Sequence, residues 1–514
     1  MTDTELNPII KCDYPDPDVI RVNDTFYMVS TTMYFMPGGA VLRSYDLKNW
    51  EIASYIFDTL DDTPEERLER ELNSYGGGMW APCIRYKDGV FHVLFVSHFT
   101  QTTYHFTATD VCGKWKKDTV KGYYHDCSLL FDEDGRNYLV YGNNEIHLVE
   151  LDKDLKAPVE GSDRVIVKEP EGYKGLGYEG SHIYKINGKY YIFFIHWPQG
   201  KMRTESCFVS DSIDGEFKGK DVFSDDGGFF NMGVAQGGIV DSMNGKWYAI
   251  LFRDSGAVGR MPMLVPVTWE NDFPVFGING KVVKRLDVAS SKPYYRYEPV
   301  YTSDSFMPDP VTGESRLKLQ WEWNHCPDNR LWYFKPEGGL VIKTDKICSN
   351  LTYAQNTLTQ RMMFPRCEAE VTVDAKDLNE GDVAGLCALQ SSYGLLGITK
   401  NSGCYYLIKV IRTVPDGPIR IGECGDFMPG EVVEKIRLRS SKVTFCLKPN
   451  FEGLQDKLDF FYIKDGEKWT KVGAAHRLFF KLDHFTGCRF GIFVYSTRQT
   501  GGKAVFTDFK YRYE

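Results

Sequence analysis

Three acidic residues stand directly before runs of alternating apolar residues, and their chemistry suits acid–base catalysis. Asp16 lies in a Tyr-Pro-Asp-Pro-Asp sequence, whose prolines stiffen the backbone and favour extended geometry. Asp126 precedes Cys-Ser-Leu-Leu, and Glu179 precedes Gly-Ser-His-Ile. In a shared cleft, mutual repulsion and partial burial would raise the pKa of one carboxyl group, so that it stays protonated while another is ionised. Hydrolysis of a glycosidic bond needs this pairing, because one carboxyl group protonates the leaving group and a carboxylate activates water.

The strands that would position these acids follow a repeated pattern. Five segments each contain an apolar run, a turn such as Asp-Gly or Asn-Gly, and a second apolar run, which is the strongest short-range signal for a β-hairpin. They recur at intervals of roughly 45 to 65 residues, which predicts a five-bladed β-propeller and leaves a sandwich of unrelated hairpins as the alternative. The innermost strands of a propeller line its channel, so the acids before them should converge at one end. The five segments are residues 18–30, 82–95, 128–141, 181–194 and 238–251.

Two other parts of the chain depart from the hairpin pattern. Thr63, Pro64 and Glu66 have the residue types of a helix start, so the sequence predicts a short surface helix there. Beyond Phe276 the hairpin spacing ends, but apolar alternation continues with little helix signal. We therefore predict an all-β chain in which a propeller is followed by a linker and a β-sandwich. The predicted bounds are 1–290 for the propeller, 291–314 for an ordered Pro- and Tyr-rich linker, and 315–514 for the sandwich.

Composition argues against several functions and locations. A net charge of −9 lacks the basic footprint of a nucleic-acid-binding protein. The 13 cysteines are scattered without a metal-site spacing, which favours reduced thiols. Residues 1–25 do not have the pattern of a signal peptide, and the sequence contains no apolar run of transmembrane length. We therefore expect a soluble cytoplasmic protein without a nucleic-acid or membrane partner.

The motifs together resemble glycoside hydrolase family 43, which contains five-bladed propeller β-xylosidases and α-L-arabinofuranosidases. The resemblance implies that the second domain is a concanavalin-like jelly roll. It also implies that Asp16 is the general base, that Glu179 is the general acid, and that Asp126 orients Glu179 and tunes its pKa. The reaction would invert the anomeric centre. The motifs that carry the resemblance are residues 7–8, 14–17, 80–82, 126–129, 179–180, 256–260, 266–269, 319–325 and 327–328.

A sugar site is predicted from aromatic and basic residues near these motifs. Trp80 and the pair Tyr34 and Phe35 are candidates for the apolar faces that contact a pentose ring. Arg260 is predicted to reach a sugar hydroxyl and the acids. The pair His196 and Trp197 is a candidate for the rim, and a buried pair is the open alternative. The ordered linker indicates that the sandwich docks on the propeller. Docking would close the pocket behind one terminal sugar, so we expect exo-acting release of pentoses from xylo- and arabino-oligosaccharides.

The sequence leaves a metal question open at Gln236. Many members of the family carry a histidine at this place, which helps to hold a hydrated calcium ion in the channel. A Gln carbonyl is also a hard oxygen ligand, so a structural calcium ion remains a candidate although the chemistry itself requires no cofactor.

Other functions fit parts of the same pattern. A non-catalytic carbohydrate-binding propeller would share the aromatic residues but would not need all three acids. A protein-interaction propeller of the kelch or WD type would lack acids that converge on one channel mouth. Within the enzyme class, the sequence does not separate xylosidase from arabinofuranosidase activity, and it does not give the oligomeric state.

Overall fold

The computed structural model describes residues 5–414, 428–464 and 468–513. Each of the five predicted hairpins forms the two inner strands of a blade, and every blade is an antiparallel sheet of four strands. The five-bladed propeller is thereby confirmed.

The first three blades contain β1 Asp18–Val22, β2 Thr25–Ser30, β4 Gly38–Ser44 and β5 Glu51–Phe57; β6 Met79–Lys87, β7 Val90–Ser97, β8 Thr102–Ala108 and β9 Lys116–Val120; and β10 Ser128–Phe131, β11 Asn137–Asn143, β12 Glu145–Leu151 and β13 Arg164–Lys168. The last two contain β14 Gly175–Ile186, β15 Lys189–Pro198, β16 Thr204–Ser210 and β17 Lys218–Phe223; and β18 Val234–Asp241, β19 Trp247–Asp254, β20 Arg260–Glu270 and β21 Phe273–Phe276.

The ring closes where the innermost strands of the first and fifth blades meet. The backbone N–H of Gly238 donates to the carbonyl oxygen of Pro17 at 3.1 Å. Further along the same two strands, Arg21 forms an ion pair with Asp241 at 2.5 Å. The segment that carries Asp16 is therefore held against the last blade.

The second domain is a sandwich of two large antiparallel sheets, as the sequence predicts. One sheet has the order β3-β22-β25-β35-β27-β28-β29-β30, in which β3 Phe35–Met36 comes from the propeller domain. The other has the order β23-β24-β36-β26-β31-β32-β33, with β34 paired to β32. The strands are β22 Glu322–Asn324, β23 Trp332–Phe334, β24 Leu340–Lys343, β25 Leu358–Arg361, β26 Cys367–Asp374, β27 Val383–Leu389, β28 Gly394–Asn401, β29 Cys404–Ile411, β30 Glu431–Arg437, β31 Lys442–Asn450, β32 Lys457–Ile463, β33 Thr470–Lys471, β34 His476–Arg477, β35 Arg489–Tyr495 and β36 Lys503–Tyr513.

The two domains share a strand pairing and a buried ion cluster. Strand β3 pairs with β22, so a piece of the first blade extends a sheet of the sandwich. Beside this pairing, the buried carboxylate of Glu322 binds the guanidinium groups of Arg361 and Arg489. Burial alone would raise the pKa of Glu322, but the two cations outweigh it and lower that pKa. Removing one partner from such a cluster would leave a buried charge unpaired, so the cluster favours this one docking geometry.

The segment between the domains lies on the first blade. The last blade strand ends at Phe276 and the first strand contributed by the second half begins at Glu322. Within this segment the hydroxyl of Tyr295 donates to Glu51 at 2.6 Å, and the backbone N–H of Glu298 donates to the same carboxylate at 3.1 Å. These bonds attach the segment to the propeller.

The helix predicted near Thr63 is wrong. Its capping pair does form, because Glu66 N–H donates to the Thr63 hydroxyl and Thr63 N–H donates to the Glu66 carboxylate. The chain then turns instead of continuing, with φ of +52° at Leu68 and +54° at Arg70. Leu68 is fully buried in a core shared with the sandwich, whereas Leu72 is exposed. Burial of one leucine against the second domain therefore overrides the local helix signal.

Helical structure in the described ranges is confined to short 3₁₀ turns. None of the helices in those ranges is long and apolar enough to cross a membrane. The turns are Gly256–Val258, Leu351–Tyr353 and Glu452–Leu454.

Candidate active site

Every blade has one residue with a left-handed backbone conformation at the entrance of its innermost strand. In two blades this residue lies just before β1 or β10, and in the other three it lies at an irregularity within β6, β14 or β18. Residues other than glycine rarely adopt this backbone conformation. The repeated kink therefore costs conformational free energy, and the rest of the fold must hold it in place. The five residues are Asp16 (φ +51°), Ala81 (+36°), Asp126 (+47°), Gly180 (+67°) and Gln236 (+60°).

Four of the five kinked residues, all except Gly180, line one cavity of about 530 Å³, and the three predicted catalytic acids all line it. Asp16 and Asp126 occupy the kink itself. Glu179 does not, because Gly180 takes that place in its blade and Glu179 enters from one residue earlier. The equivalence of the three acids predicted from the sequence therefore holds for two of them. Gly180 is required here because a Cβ atom at this position would lie 2.7 Å from the Gln236 side chain.

Asp16 is held on one side of the cavity by a hydroxyl group and a cation. The hydroxyl of Thr31 donates to one carboxylate oxygen at 2.7 Å, and Arg260 Nη1 donates to the other at 3.1 Å. Arg260 is itself held by Asp254, through a bond of 3.2 Å from its Nε. The predicted contact of Arg260 with an acid is thus present, and Arg260 also lines the cavity.

Asp126 and Glu179 belong to the third and fourth blades, and His125 lies between them. The Nε2 atom of His125 is 3.7 Å from Asp126 Oδ1 and 3.6 Å from Glu179 Oε2. Asn143 donates from its side-chain amide to Glu179 Oε2 at 2.5 Å. Burial and the nearby carboxylates of Glu179 and Asp16 raise the pKa of Asp126, although His125 opposes this. Burial would lower the pKa of His125, but Asp126 and Glu179 outweigh it and raise that pKa to about 9.

An aromatic wall stands next to the acids. Trp80 is stacked on His98, with ring centroids 4.4 Å apart, and its indole N–H donates to the carbonyl oxygens of Gly76 and Gly77. Its predicted place beside the sugar agrees with its position in the cavity lining. The adjoining Gly78 has no room for a side chain, since a Cβ atom would lie 2.3 Å from the carbonyl oxygen of Met33.

The sandwich domain closes one side of the cavity. Phe485 and Leu482, which lie between β34 and β35, both line it. The ring of Phe485 is 5.7 Å from Trp80 and lies against the Arg260 guanidinium, whose carbon is 4.6 Å from the ring centroid. The pocket is therefore built from both domains.

Tyr34 and Phe35 are not in the cavity, and the structure corrects their predicted contact with the sugar. Both are buried in the interface between the domains. Tyr34 contacts Tyr75, His325 and His484, and Phe35 lies under the Arg489 guanidinium. The reason is the pairing of β3 with the sandwich, which draws both rings away from the channel.

His196 is also outside the cavity lining, and its neighbour Trp197 lines it instead. His196 is buried and lies 3.0 Å from a carboxylate oxygen of Asp221 and 3.1 Å from the hydroxyl of Tyr173. Successive residues of a strand point to opposite faces, so only one of the His-Trp pair can face the site.

Comparisons with known proteins agree with this architecture. The family model for glycosyl hydrolases family 43 matches residues 6–274, which is more than half of the chain. The chain belongs to glycoside hydrolase family 43. A second model, for the β-xylosidase C-terminal concanavalin A-like domain, matches residues 313–512. The chain is therefore a glycosidase, and the non-catalytic alternative has no support.

Similar proteins cover almost the whole chain. A β-xylosidase of Formosa agariphila is 26% identical over 99% of this chain and 90% of its own length. A non-reducing end α-L-arabinofuranosidase of Bacteroides ovatus is 27% identical over 87% of this chain and 85% of its own. Among solved structures, a bifunctional GH43-CE protein of Bacteroides eggerthii has a TM-score of 0.91 and 38% identity, and it covers 99% of this chain. This chain spans 64% of that longer protein.

His125 was not among the residues predicted to act in this family 43 site. Its only signal in the sequence is its position next to Asp126. Each residue of the group His125, Asp126 and Glu179 offers a donor atom, and these atoms lie within 4.8 Å of one another, a spacing that could hold a metal ion. The carboxylates of Asp126 and Glu179 favour the protonated form of this imidazole, an arrangement that suits proton transfer.

The donors around Gln236 do not fit a calcium cage. The backbone N–H of Gln236 donates to the buried carboxylate of Glu205 at 2.7 Å, and the other oxygen of Glu205 has no hydrogen-bond partner within the described part of the chain. Calcium takes six to eight oxygen ligands. The Gln236 amide and one Glu205 oxygen would supply only part of that number, so a calcium ion here would have to keep most of its ligands as water, and the guanidinium groups of Arg203 and Arg260 line the same cavity.

Replacing His125 should move the pH profile of hydrolysis. An imidazolium beside Asp126 favours the ionised form of that carboxyl group, so His125→Gln lets Asp126 keep its proton to higher pH. The alkaline limb of kcat/KM should therefore move upward by about one pH unit. We would measure kcat/KM from pH 4 to pH 10 for His125→Gln and for His147→Gln, a matched change in the same blade. An unchanged alkaline limb, or one moved to lower pH, would contradict the assigned charge on His125.

Proposed function

We propose that the chain is an exo-acting, inverting glycoside hydrolase that releases terminal pentoses from hemicellulose-derived oligosaccharides. The pentose is α-L-arabinofuranose, β-D-xylose or both. The observation that carries the proposal is a single cavity that is lined by Asp16 from the first blade and by Asp126 and Glu179 from the third and fourth blades. The named activities of the Formosa β-xylosidase and the Bacteroides ovatus arabinofuranosidase support the choice of a pentose.

The proposed reaction uses the two sides of the cavity in different ways. Asp16 accepts a proton from a water molecule whose oxygen attacks the anomeric carbon. Glu179 donates a proton to the glycosidic oxygen as the bond from the anomeric carbon to that oxygen breaks. Asp126 and His125 orient Glu179 and set the charge around it. Attack from the face opposite the leaving group inverts the anomeric centre.

Arg260 has a double part in this mechanism. It holds Asp16 through the 3.1 Å bond, and its position in the cavity lining lets it reach a sugar hydroxyl. Its guanidinium is fixed between Asp16, Asp254 and the ring of Phe485. A base held in this way needs little reorganisation when charge moves in the transition state.

Exo action follows from the closed side of the pocket. Trp80 and Phe485 meet edge to face and leave the cavity bounded where the sandwich docks. A volume of about 530 Å³ lies in the range of pockets that enclose a small ligand, and we expect the wall at Phe485 to stop a polymer from running through. One terminal sugar enters, and the rest of the oligosaccharide extends outward.

Two further expectations belong to the proposal. The hydrolysis uses no cofactor, because the chain supplies the base, the acid and the residues that orient them. The location is cytoplasmic, which is supported by the cysteines within the described ranges, all of which are free thiols and most of which are buried.

Variants of the two catalytic acids should respond differently to the leaving group. Glu179→Gln should lower kcat/KM on a xylo- or arabino-oligosaccharide by roughly 10²- to 10⁴-fold, but less on a dinitrophenyl pentoside, which needs little proton assistance. Asp16→Asn should cost the same factor on both substrates, because both need an activated water. Glu216→Gln, an exposed change, is the control. Equal losses on both substrates for Glu179→Gln would remove its assignment as the acid.

The products should show both the exo mode and inversion. Incubation with xylo-oligosaccharides, arabino-oligosaccharides, xylan and arabinan should release monosaccharide from the start, without mid-length fragments. Proton NMR taken within the first minutes of aryl pentoside hydrolysis should show the anomer opposite to that of the substrate. Early mid-length fragments would contradict the closed pocket, and a retained anomer would contradict the role of Asp16 as a base.

A further inference from the structure

We propose that a groove beside the catalytic cavity binds the leaving-group side of the substrate and selects oligosaccharides of several sugars over small glycosides. The inference rests on the proposed function and deepens it. The groove is open and has a volume of about 870 Å³. It is lined by residues 174–176, 197–201 and 230–232, which come from the fourth blade and from the loop before the fifth.

The groove continues directly from the catalytic cavity. Leu176 and Trp197 line both spaces, so they form the passage between them. Leu176 lies on β14, the strand that also carries Glu179. The proposed acid protonates the glycosidic oxygen, so the leaving group must lie on the side of Glu179 and not on the side of Asp16. The groove begins at Leu176, which lies three residues before Glu179 on that strand.

One wall of the groove is an ordered aromatic ring. The indole N–H of Trp197 donates to the carbonyl oxygen of Lys201 at 2.7 Å. The guanidinium of Arg203 lies over the ring, 4.4 Å from its centroid, and Arg203 is in turn held by Asp254 at 2.6 Å. A ring held by this hydrogen bond and by the guanidinium above it offers a flat apolar surface of the kind against which sugar rings pack.

A second aromatic residue of the groove lining is exposed to solvent. Phe230 is 56% exposed, although its neighbour Phe229 is packed against Arg253 and against Phe364 of the sandwich. Phe230 and Asn231 both have left-handed backbones, with φ of +54° and +61°. Two such residues in succession are costly, so the fold holds Phe230 outward at some expense.

The loop that carries Phe230 is held in place by hydrogen bonds to Asp226. The carboxylate of Asp226 accepts the backbone N–H groups of Gly228 and Asn231, both at 2.7 Å. Polar side chains line the same groove and can bond sugar hydroxyls; they are Lys174, Gln199, Lys201 and Asn231. Aromatic rings together with such donors are the ordinary composition of a carbohydrate-binding cleft.

The combined volume of the cavity and the groove indicates that more than one sugar can bind. The catalytic cavity of about 530 Å³ takes the terminal pentose, and the groove adds about 870 Å³ beyond the passage. Spaces of that size hold ligands well above the size of a single sugar ring. An aryl group or one sugar would reach Trp197, whereas only a longer leaving group would reach Phe230.

The test compares substrates that differ only in the length of the leaving group. Once an aryl pentoside pair has shown which pentose is released, kcat/KM is measured on that aryl pentoside and on a disaccharide and a tetrasaccharide with the same terminal sugar. The wild type should prefer the tetrasaccharide to the disaccharide. Phe230→Ala should lower the ratio of kcat/KM on the tetrasaccharide to that on the aryl pentoside by about tenfold.

Tyr294→Ala is the matched control, because Tyr294 is an aromatic residue that is 96% exposed and lies in the segment between the domains. It should leave the ratio unchanged. An unchanged ratio for Phe230→Ala in a variant with wild-type thermal stability would overturn the groove, and so would equal kcat/KM of the wild type on di- and tetrasaccharide. Failure of the wild type to hydrolyse any aryl pentoside would overturn the proposed function first, and the groove with it.

Discussion

The buried carboxylate of Asp13 joins the two domains at the point where the active site forms. One of its oxygens accepts the backbone N–H of Arg260 in the fifth blade at 2.7 Å, and the other accepts that of Gly487 in the sandwich at 2.8 Å. The carbonyl oxygen of Asp13 accepts a bond from Arg361 Nε at 2.8 Å. Burial raises the pKa of Asp13, but the two N–H bonds favour its ionised form. Since Asp16 follows on the same rigid segment and Phe485 is close to Gly487, this carboxylate sets the distance between base and pocket wall.

The three acids of the opening segment have different roles. Asp13 and Asp18 hold parts of the fold together, and Asp16 lines the cavity. Asp18 lies in the channel, where Ile84 N–H and Arg85 bind one carboxylate oxygen and His182 Nδ1 is 3.1 Å from the other. It therefore ties three blades together. Asp16 occupies the left-handed kink between these two structural acids and is turned into the cavity. Its costly backbone is maintained because its neighbours on both sides are held in place.

Local patterns in the sequence were sufficient for the propeller and for the acids. Turn residues between alternating apolar runs specify hairpins wherever they occur, and an acid just before an innermost strand must lie near the channel mouth. The fates of Tyr34 and Phe35 depended on β3 pairing with β22, a contact far apart in the sequence. No local pattern reports such a pairing, so their burial in the domain interface could not be predicted.

The same limit applies to other residues of the site. Phe485 belongs to the second domain, and only the docked structure places it against Arg260. The sequence shows His125 only as a neighbour of Asp126, because its charge depends on burial and on Glu179 of the next blade as well as on Asp126. The Thr63–Glu66 capping pair was readable and did form, but the helix was lost because Leu68 packs into the shared core. Contacts between residues close in the sequence could thus be predicted, and contacts formed between the two domains could not.

The activity of the Asp13→Asn variant tests most directly whether the docking of the two domains builds the active site. An amide can accept only one of the two backbone N–H groups, so the contact between the fifth blade and the sandwich should loosen without a change of any residue in the cavity lining. We expect a loss of at least roughly tenfold in kcat/KM on an aryl pentoside, at a temperature where circular dichroism shows the variant folded. The exposed change Asp58→Asn should have no effect. A folded Asp13→Asn enzyme with wild-type kcat/KM would contradict the claim that the docking of the domains builds the active site.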